Sequence, residues 1–162
     1  MKEKTMAERI MLFNETLMNE TLVLPSGFRL LNPFLGEQKE LVKKVTTVFY
    51  QKYYNDFGVR RIILGSSPAR RGTAITGVPF EDTEHLQNET GVFLEGGHVS
   101  QASSDFLNEV MRTYGGYRKF YTDFYMNFVC PLGIVKKIQK VMRLIVIIMK
   151  IKNYRRRYIR LL

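Results

Sequence analysis

The short run Ile62-Ile63-Leu64 constrains the fold most, because its apolar residues do not alternate with polar ones. An unalternating, β-branched run is typical of a strand that is covered on both faces, as in parallel sheets. Helical patterns flank this run, and a second apolar run follows at residues 124–129. The alternation of helices with strands predicts an α/β fold. Two strands do not complete a stable sheet of this class, so we expect the sheet to be incomplete.

The other segments up to residue 123 predict helices and turns. Apolar residues recur at helical spacing from Glu37 to Tyr54, which predicts an amphipathic helix. Pro33 forces Asn32 out of helical geometry, so residues 31–34 are predicted to form a loop. Further helices are predicted at 7–20, at 82–90, at 103–113 with Ser103 or Ser104 as the cap, and at 117–122.

The formal net charge of +10 is distributed unevenly along the 162 residues. Residues 136–162 contain five Lys, five Arg and no acidic residue, whereas residues 1–135 balance 15 basic against 15 acidic side chains. The length predicts one domain. The apolar window at 144–149 is far shorter than the roughly 20 residues that cross a bilayer.

The few Cys and His residues exclude several site chemistries. Cys130 is the only cysteine, which excludes an internal disulfide and favours a reducing compartment. One Cys and two distant His show no metal-ligand spacing, and His85 and His98 are predicted to be surface residues rather than catalysts. The charged N-terminus, broken by acidic residues, does not resemble a secretory signal.

The loop from Gly65 to Phe80, GSSPARRGTAITGVPF, is the strongest candidate for a binding site. Ligands of open α/β sheets bind beyond the carboxyl ends of the strands. Glycines let the backbone approach a ligand closely, and prolines reduce the entropy lost when the loop is fixed. Phe80 offers a flat face for stacking on a base, and Arg70 and Arg71 can contact phosphates. From local chemistry alone, an ordinary strand-to-helix turn with a core Phe is the simpler interpretation.

The pattern Gly-x-x-Pro at 65–68, followed by Thr-Gly-Val-Pro-Phe at 76–80, resembles the first motif of the SMUG branch of uracil-DNA glycosylases. CPLG at 130–133 resembles the end of that family's uracil-recognition strand, and LNPF at 31–34 is similar to its Asn-Pro segment. YGGYRKFYTDFYMNFVCPLG is similar to the bacterial SMUG2-like subfamily. The resemblance covers about residues 30–135.

The resemblance implies a three-layer α/β/α fold with a central parallel sheet, incomplete at the C-terminus. It implies a DNA repair enzyme that hydrolyses the N-glycosidic bond of uracil or a related deaminated base, without metal or cofactor. The expected partner is DNA that contains such a base, and no membrane partner is expected. The protein is expected to be a monomer in the bacterial cytoplasm.

The same resemblance assigns roles to residues of the loop. Gly65, Ser66 and Ser67 would line the base pocket beside Pro68, and Phe80 would stack under the flipped base. Ala69 would lie near the 5-substituent of the pyrimidine, and Arg70 and Arg71 would contact DNA. Ser67 stands where many relatives have Asn, which positions the attacking water. A hydroxyl orients water but is not a base near neutral pH, so the general-base role is not carried over.

Two features depart from the family pattern. Asn127 is the candidate for reading the uracil edge, but an ungapped alignment on Cys-Pro-Leu puts Phe128 at that position. A shift of one residue in a strand moves a side chain to the other face, so this alternative stays open. The second family motif, a His-Pro loop, is missing.

Residues 136–162 contain no Gly, Pro, Ala, Ser, Thr, Asp or Glu. One interpretation is a basic amphipathic helix, with which the protein would bind nucleic acid or a membrane surface without being an enzyme. The preferred interpretation is a frameshift near Lys136-Lys137. Ordinary codons for this tail, read in another frame, can encode KKNTKGNEVNCNYYENKEL, and that peptide resembles the sequence that the family has after this point. Residues 1–135 would then be the N-terminal part of a glycosylase domain, and 136–162 a non-family tail. The codons of the gene decide between the two.

A chain of this kind is expected to be impaired as an enzyme, and marginally stable or prone to aggregate. The reason is that Ile62–Leu64 would lack neighbours and that 144–149 is strongly apolar.

Overall fold

A computed structural model describes residues 3–68, 72–96, 101–137 and 142–144 of the chain. The described part is a mixed α/β fold, as the sequence predicts. Six α-helices and five strands occur in it, together with a 3₁₀ helix at Pro33–Leu35. In chain order they are α1 (Met6–Met18), β1 (Phe28–Leu31), α2 (Lys39–Tyr54), β2 (Arg61–Gly65), α3 (Thr73–Thr76), α4 (Thr83–Thr90), α5 (Gln101–Tyr114), α6 (Tyr117–Asp123), β3 (Phe124–Phe128), β4 (Gly133–Lys137) and β5 (Met142–Leu144).

Side-chain caps define where several helices begin. At α1, the Thr5 hydroxyl accepts from the Glu8 backbone N–H at 3.2 Å, and the Glu8 carboxylate accepts from the Thr5 N–H at 2.8 Å. This capping box starts the helix one residue before the predicted position. Asn32 has the extended backbone that Pro33 requires and caps the 3₁₀ helix, where a loop was predicted. The cap predicted at Ser103 or Ser104 is wrong, because α5 already begins at Gln101.

Helix α2 lies at the centre of the core. Its buried face carries Val42, Val45, Phe49, Tyr53 and Tyr54, which recur at the predicted helical spacing. Phe49 packs edge-on against Tyr121 of α6, with 5.4 Å between the ring centroids. Tyr54 meets Tyr125 of β3 in the same way at 5.8 Å. An aromatic cluster therefore joins α2 to α6 and β3.

The strands form two separate sheets in the described part of the chain. β2 pairs with β3 in parallel, from Arg61 opposite Phe124 to Gly65 opposite Phe128. Both predicted strands are thus confirmed, and the structure shows that they are neighbours. β1, β4 and β5 form an antiparallel sheet in the order β1-β4-β5, which was not predicted. At 142–144 the chain is a strand rather than the basic helix considered for the tail. Strand β4 extends across residue 135, the predicted boundary between domain and tail.

Strand β2 differs from the expectation that both of its faces are covered. Ile62, Ile63 and Leu64 expose 47%, 38% and 45% of their surfaces, whereas the residues of β3 from Tyr125 to Phe128 are buried. Within the residues that the structure describes, β2 has a ladder partner on one side only. The expectation that this run is covered on both faces is therefore wrong for the described part of the chain. The described helices include none that is long and apolar enough to cross a bilayer.

Replacing Phe49 by Ala is expected to destabilise the fold by about 3–5 kcal/mol, because the ring is almost fully buried among three tyrosines. Urea unfolding measures the loss. Phe106→Ala is the matched control, since that ring is 67% exposed on α5 and its removal should change stability by less than about 0.5 kcal/mol. Equal losses in both variants would contradict the described core.

Candidate functional site

The carboxyl ends of β2 and β3 form one edge of the parallel pair. The ladder ends with Gly65 opposite Phe128, and the backbone contact continues beyond it. The Val129 N–H donates to the Gly65 carbonyl at 2.9 Å, and the Cys130 N–H donates to the Ser66 carbonyl at 3.4 Å. These bonds hold the two strand-end loops side by side, at the edge where α/β folds bind ligands.

Gly65 is required at this edge because two aromatic rings occupy the space of a side chain. A Cβ at residue 65 would lie 2.7 Å from Phe80 Cζ and 2.8 Å from Phe128 Cδ1. The rings of Phe80 and Phe128 are stacked, with centroids 4.5 Å apart and planes inclined by 24°. We call Gly65, Phe80 and Phe128 the strand-end shelf. Phe128 is buried and Phe80 is half-buried.

Two residues of the turn that leads to Phe80, Gly77 and Phe80 itself, have left-handed backbone geometry. Gly77 caps the end of helix α3 with φ +72°, and a Cβ added there would lie 2.9 Å from a methyl of Val42. Phe80 itself has φ +64°, the one positive value among non-glycine residues of the described chain. Such a conformation costs about 1–3 kcal/mol and persists only where the surroundings fix it. One such fixing contact is the bond from the Phe80 N–H to the Thr73 hydroxyl at 3.1 Å.

A second anchor follows Phe80 directly. Glu81 is 4% exposed, and its carboxylate accepts a hydrogen bond from the Tyr121 hydroxyl and contacts Nδ1 of His85. The His85 ring packs on Tyr117 with 4.6 Å between centroids. The prediction that His85 is a surface residue is wrong, because only 13% of its side chain is exposed. His98 lies outside the described residues.

The charge of His85 is held between two carboxylates. Burial alone would lower the pKa of His85, but the hydrogen bond to Glu81 and the negative charges of Glu81, Glu89 and Asp82 outweigh it and raise the pKa. His85 Nε2 lies 3.8 Å from Glu89 Oε1 and has no hydrogen-bond partner in the described part of the chain. Glu89 in turn accepts from Lys52 Nζ at 2.7 Å. This network ties α4 to α2 and α6 beside the shelf.

The predicted loop residues are placed as follows. Ser66 is exposed, Ser67 is half-buried and Pro68 is buried, all directly after β2. Ala69, Arg70 and Arg71 lie outside the described residues. The side chain at residue 67 is thus at the strand tip, where the predicted water-positioning role would require it. The role itself stays a prediction.

Asn127 and Phe128 point to opposite faces of β3, since successive side chains of a strand alternate. Phe128 shares the face of Gly65, and Asn127 is the register partner of Leu64. The Asn127 amide donates to the Tyr125 hydroxyl at 2.8 Å, and its oxygen accepts from the Phe128 N–H at 2.8 Å. Phe128 therefore lies on the same side of β3 as the shelf and Asn127 on the other side, and which of them meets a base stays a prediction. Asn127 already has interior partners.

Sequence reasoning missed the Glu81 network. The spacing of His85 and Glu89 by four residues was a readable signal, because it places both on one face of the predicted helix, and Glu81 lies four residues earlier, just before that helix begins. The contributions of Tyr121 and Lys52 come from other elements and have no local signal. Burial raises the pKa of the Cys130 thiol, which makes it a poor nucleophile at neutral pH. Among the described residues, no three His, Cys, Asp or Glu side chains are grouped to hold a metal ion.

No protein-family model matches the chain, and no curated protein matches it. Its structure is similar to the crystal structure of wild-type SMUG2 from Pedobacter heparinus, with a TM-score of 0.77 and 34% sequence identity. The match covers 88% of this chain and 61% of the SMUG2 chain, so the chain spans less than two thirds of that protein. The SMUG2-like character indicated by the sequence motifs is confirmed.

Replacing Gly65 by Ala is expected to destabilise the fold by about 1–3 kcal/mol, because the new Cβ overlaps both rings of the shelf. Gly36→Ala is the matched control: Gly36 has φ −72°, and its nearest neighbour would be Pro33 O at 3.7 Å. That substitution should be neutral or slightly stabilising. Urea unfolding of both variants checks the difference, and a harmless Ala at residue 65 would contradict the described packing.

Raising the pH is expected to destabilise the fold through His85. Because the folded-state pKa lies above the ordinary 6.5, the stabilisation is complete below about pH 6.5 and is lost as pH rises through the folded-state pKa. Urea unfolding from about pH 6 to about pH 9 measures the effect. His85→Gln removes the titrating group and should flatten this part of the profile. The same slope in the variant and the parent would show that His85 is not the cause.

Proposed function

We propose, on the premise of a chain that is SMUG2-like in fold and sequence, that the strand-end shelf belongs to a DNA glycosylase of the uracil-DNA glycosylase superfamily. In this proposal the reaction is hydrolysis of the N-glycosidic bond of uracil or a related deaminated base. The observation that carries it is the stacked pair of Phe80 and Phe128 against Gly65, at the shared edge of two parallel strands.

The shelf suits a flat guest. One face of Phe80 is taken by Phe128, so an everted pyrimidine would have to stack on the other face of this half-buried ring. Base stacking on an aromatic side chain contributes about 1–3 kcal/mol, and extruding a base from a duplex costs a few kcal/mol. Stacking on Phe80 therefore offsets much of that cost, and a base in single-stranded DNA needs less compensation still.

In the proposed chemistry, Ser67 positions the attacking water and Asn127 forms hydrogen bonds to the edge of the base. The Ser67 hydroxyl would orient the attacking water without deprotonating it, which suffices if bond cleavage precedes attack and an oxocarbenium-like sugar forms. Asn127 would read the base edge with the second N–H of its amide or the second lone pair of its oxygen, while one N–H stays bonded to the Tyr125 hydroxyl. Gly65, Ser66, Pro68 and Ala69 would form the rest of the pocket wall.

DNA is the proposed partner, without metal or cofactor. Arg70 and Arg71 would contact phosphates on either side of the flipped nucleotide, so binding should weaken as salt rises. A three-layer arrangement around a central parallel sheet, a monomeric state and a bacterial cytoplasmic location belong to the same proposal. Activity of this chain by itself is expected to be weak, because the uncovered β2 holds the shelf less firmly.

The tail supports a second candidate, a non-enzymatic binder of nucleic acid or membrane surfaces. Residues 145–162 contain six basic side chains and no acid, which favours anionic surfaces. Deleting 145–162 leaves β4 and β5 intact. Loss of all DNA binding on this deletion supports the binder, whereas base excision that survives it supports the glycosylase.

The direct test is base excision from a single-stranded oligonucleotide with one uracil, followed by cleavage of the abasic site, with Pedobacter heparinus SMUG2 as a positive control. The chain should release uracil and leave a matched thymine oligonucleotide intact. Phe80→Ala should reduce the rate about tenfold to a hundredfold, since it removes one stacking face. Phe106→Ala, an exposed ring on α5, should keep the parental rate. A complete lack of uracil-dependent product, or full activity in Phe80→Ala, would refute the proposal.

A further inference from the structure

The orientation of the Phe80 ring depends on a strained backbone. Phe80 has φ +64°, a left-handed value that a residue with a side chain keeps only where its surroundings fix it. A return of this residue to negative φ would turn the ring away from its stack with Phe128. The groups that hold the backbone on either side of Phe80 therefore decide where the stacking ring lies.

Two buried threonines hold the turn unequally on the two sides of Phe80. On the N-terminal side, the Thr73 hydroxyl accepts from the Phe80 N–H at 3.1 Å. On the C-terminal side, the Thr76 hydroxyl lies 3.4 Å from the Glu81 carbonyl and 3.2 Å from the Val78 carbonyl, and the Glu81 N–H donates to Val78 at 3.3 Å. These three distances are longer than those of good hydrogen bonds. The C-terminal side of the turn therefore needs a further hold.

The side chain of Glu81 supplies this hold. Only 4% of Glu81 is exposed, and one carboxylate oxygen accepts from the Tyr121 hydroxyl while the other contacts Nδ1 of His85. The two partners come from different elements, α6 and α4. Hydrogen bonds to a carboxylate are among the stronger ones in proteins, and burial strengthens them further. Residue 81 cannot shift, and so release Phe80, without breaking these contacts.

Tyr121 is itself immobile. It is 1% exposed, and its ring packs against Phe49 and Tyr53 with centroids 5.4 and 4.7 Å away. Burial and the negative charge of Glu81 raise the pKa of Tyr121 well above its ordinary value, so the hydroxyl keeps its proton and stays a donor. The aromatic core thus presents a fixed donor to the residue that follows Phe80.

We propose that Glu81 and Tyr121 are positioning residues, which hold the Phe80 ring where a flat base stacks on it and do not touch the base themselves. Both side chains are buried, and the Glu81 carboxylate is directed at α6 and α4 rather than at the shelf. The effect on base excision rests on the proposed function. The hold on Phe80 does not, and it can be measured without any substrate.

The proposal has a kinetic consequence that a loss of stability does not share. If the hold is weakened, the ring is correctly placed in only a fraction of the folded molecules, and the apparent affinity for the base falls by that fraction. KM then rises, whereas kcat changes little because the ring is in place in every molecule that has bound the base. Partial unfolding instead removes active molecules, which lowers kcat and leaves KM unchanged.

The test is Tyr121→Phe, which removes the hydroxyl and keeps the packed ring. The Phe80 amide should exchange its hydrogen about tenfold faster relative to the amides of α2. KM for a single-stranded oligonucleotide with one uracil should rise about tenfold, with kcat within about twofold of the parent. Tyr54→Phe is the matched control, because that buried hydroxyl donates to the Phe124 carbonyl at 3.1 Å, at the end of β3 far from the shelf. It should leave both Phe80 exchange and KM at the parental values.

Variants of Glu81 test the same hold from its other side. Glu81→Gln keeps an oxygen that accepts from Tyr121 and should keep KM within about threefold of the parent, whereas Glu81→Ala should raise it about tenfold or more. Glu81→Gln and Tyr121→Phe keep the proposal testable if Glu81→Ala does not fold.

Three results would overturn the proposal: parental exchange at Phe80 in Tyr121→Phe, an equal change in Tyr54→Phe, or a lower kcat with unchanged KM. If the parent chain releases no uracil, the proposed function fails and exchange at Phe80 alone decides. Faster exchange in Tyr121→Phe but not in Tyr54→Phe then supports the hold on the ring, and any other pattern overturns it.

Discussion

The contact of Gly65 with the rings of Phe80 and Phe128 is the constraint on which the rest of the structure depends. The parallel ladder brings residue 65 opposite residue 128, and only the lack of a side chain at 65 lets the two rings stack beside the strand ends. Phe80 reaches this position through a left-handed turn that would be unfavourable in isolation. The bond to Thr73 and the buried carboxylate of Glu81 hold it there.

The shelf is therefore firmly joined to one side of the molecule and weakly supported on the other. The Tyr121 hydroxyl donates a hydrogen bond to Glu81, the residue that follows Phe80, and the Tyr121 ring packs against Phe49. Tyr121 therefore links the shelf to the aromatic core at α2. On the opposite side, β2 ends at the shelf but exposes Ile62, Ile63 and Leu64. The shelf is thus fixed from the side of the core, while the strand that leads to it exposes apolar side chains in the described part of the chain.

Local patterns in the sequence predicted those parts of the fold whose causes are local. The spacing of apolar residues located α2, an unalternating run located β2, and the pre-proline effect gave Asn32 its extended backbone. The sheet of β1, β4 and β5 was missed because its strands are short and because β1 pairs with β4 across about a hundred residues of sequence. The choice between Asn127 and Phe128 depended on strand register, which only the pairing with β2 fixes. The burial of His85 depended on the ring of Tyr117, which comes from another helix.

The central claim is that the strand-end shelf holds a flat pyrimidine against Phe80. Titration of the isotope-labelled chain with free uracil, followed by amide and aromatic NMR resonances, tests it most directly. The account predicts saturable shifts at Phe80 and at the amides of Gly65, Ser66 and Val129, with ring-current changes at Phe80 and none on the outer face of α5. Saturable shifts that leave Phe80 and Gly65 unmoved, or no saturable shift at any uracil concentration, would contradict it.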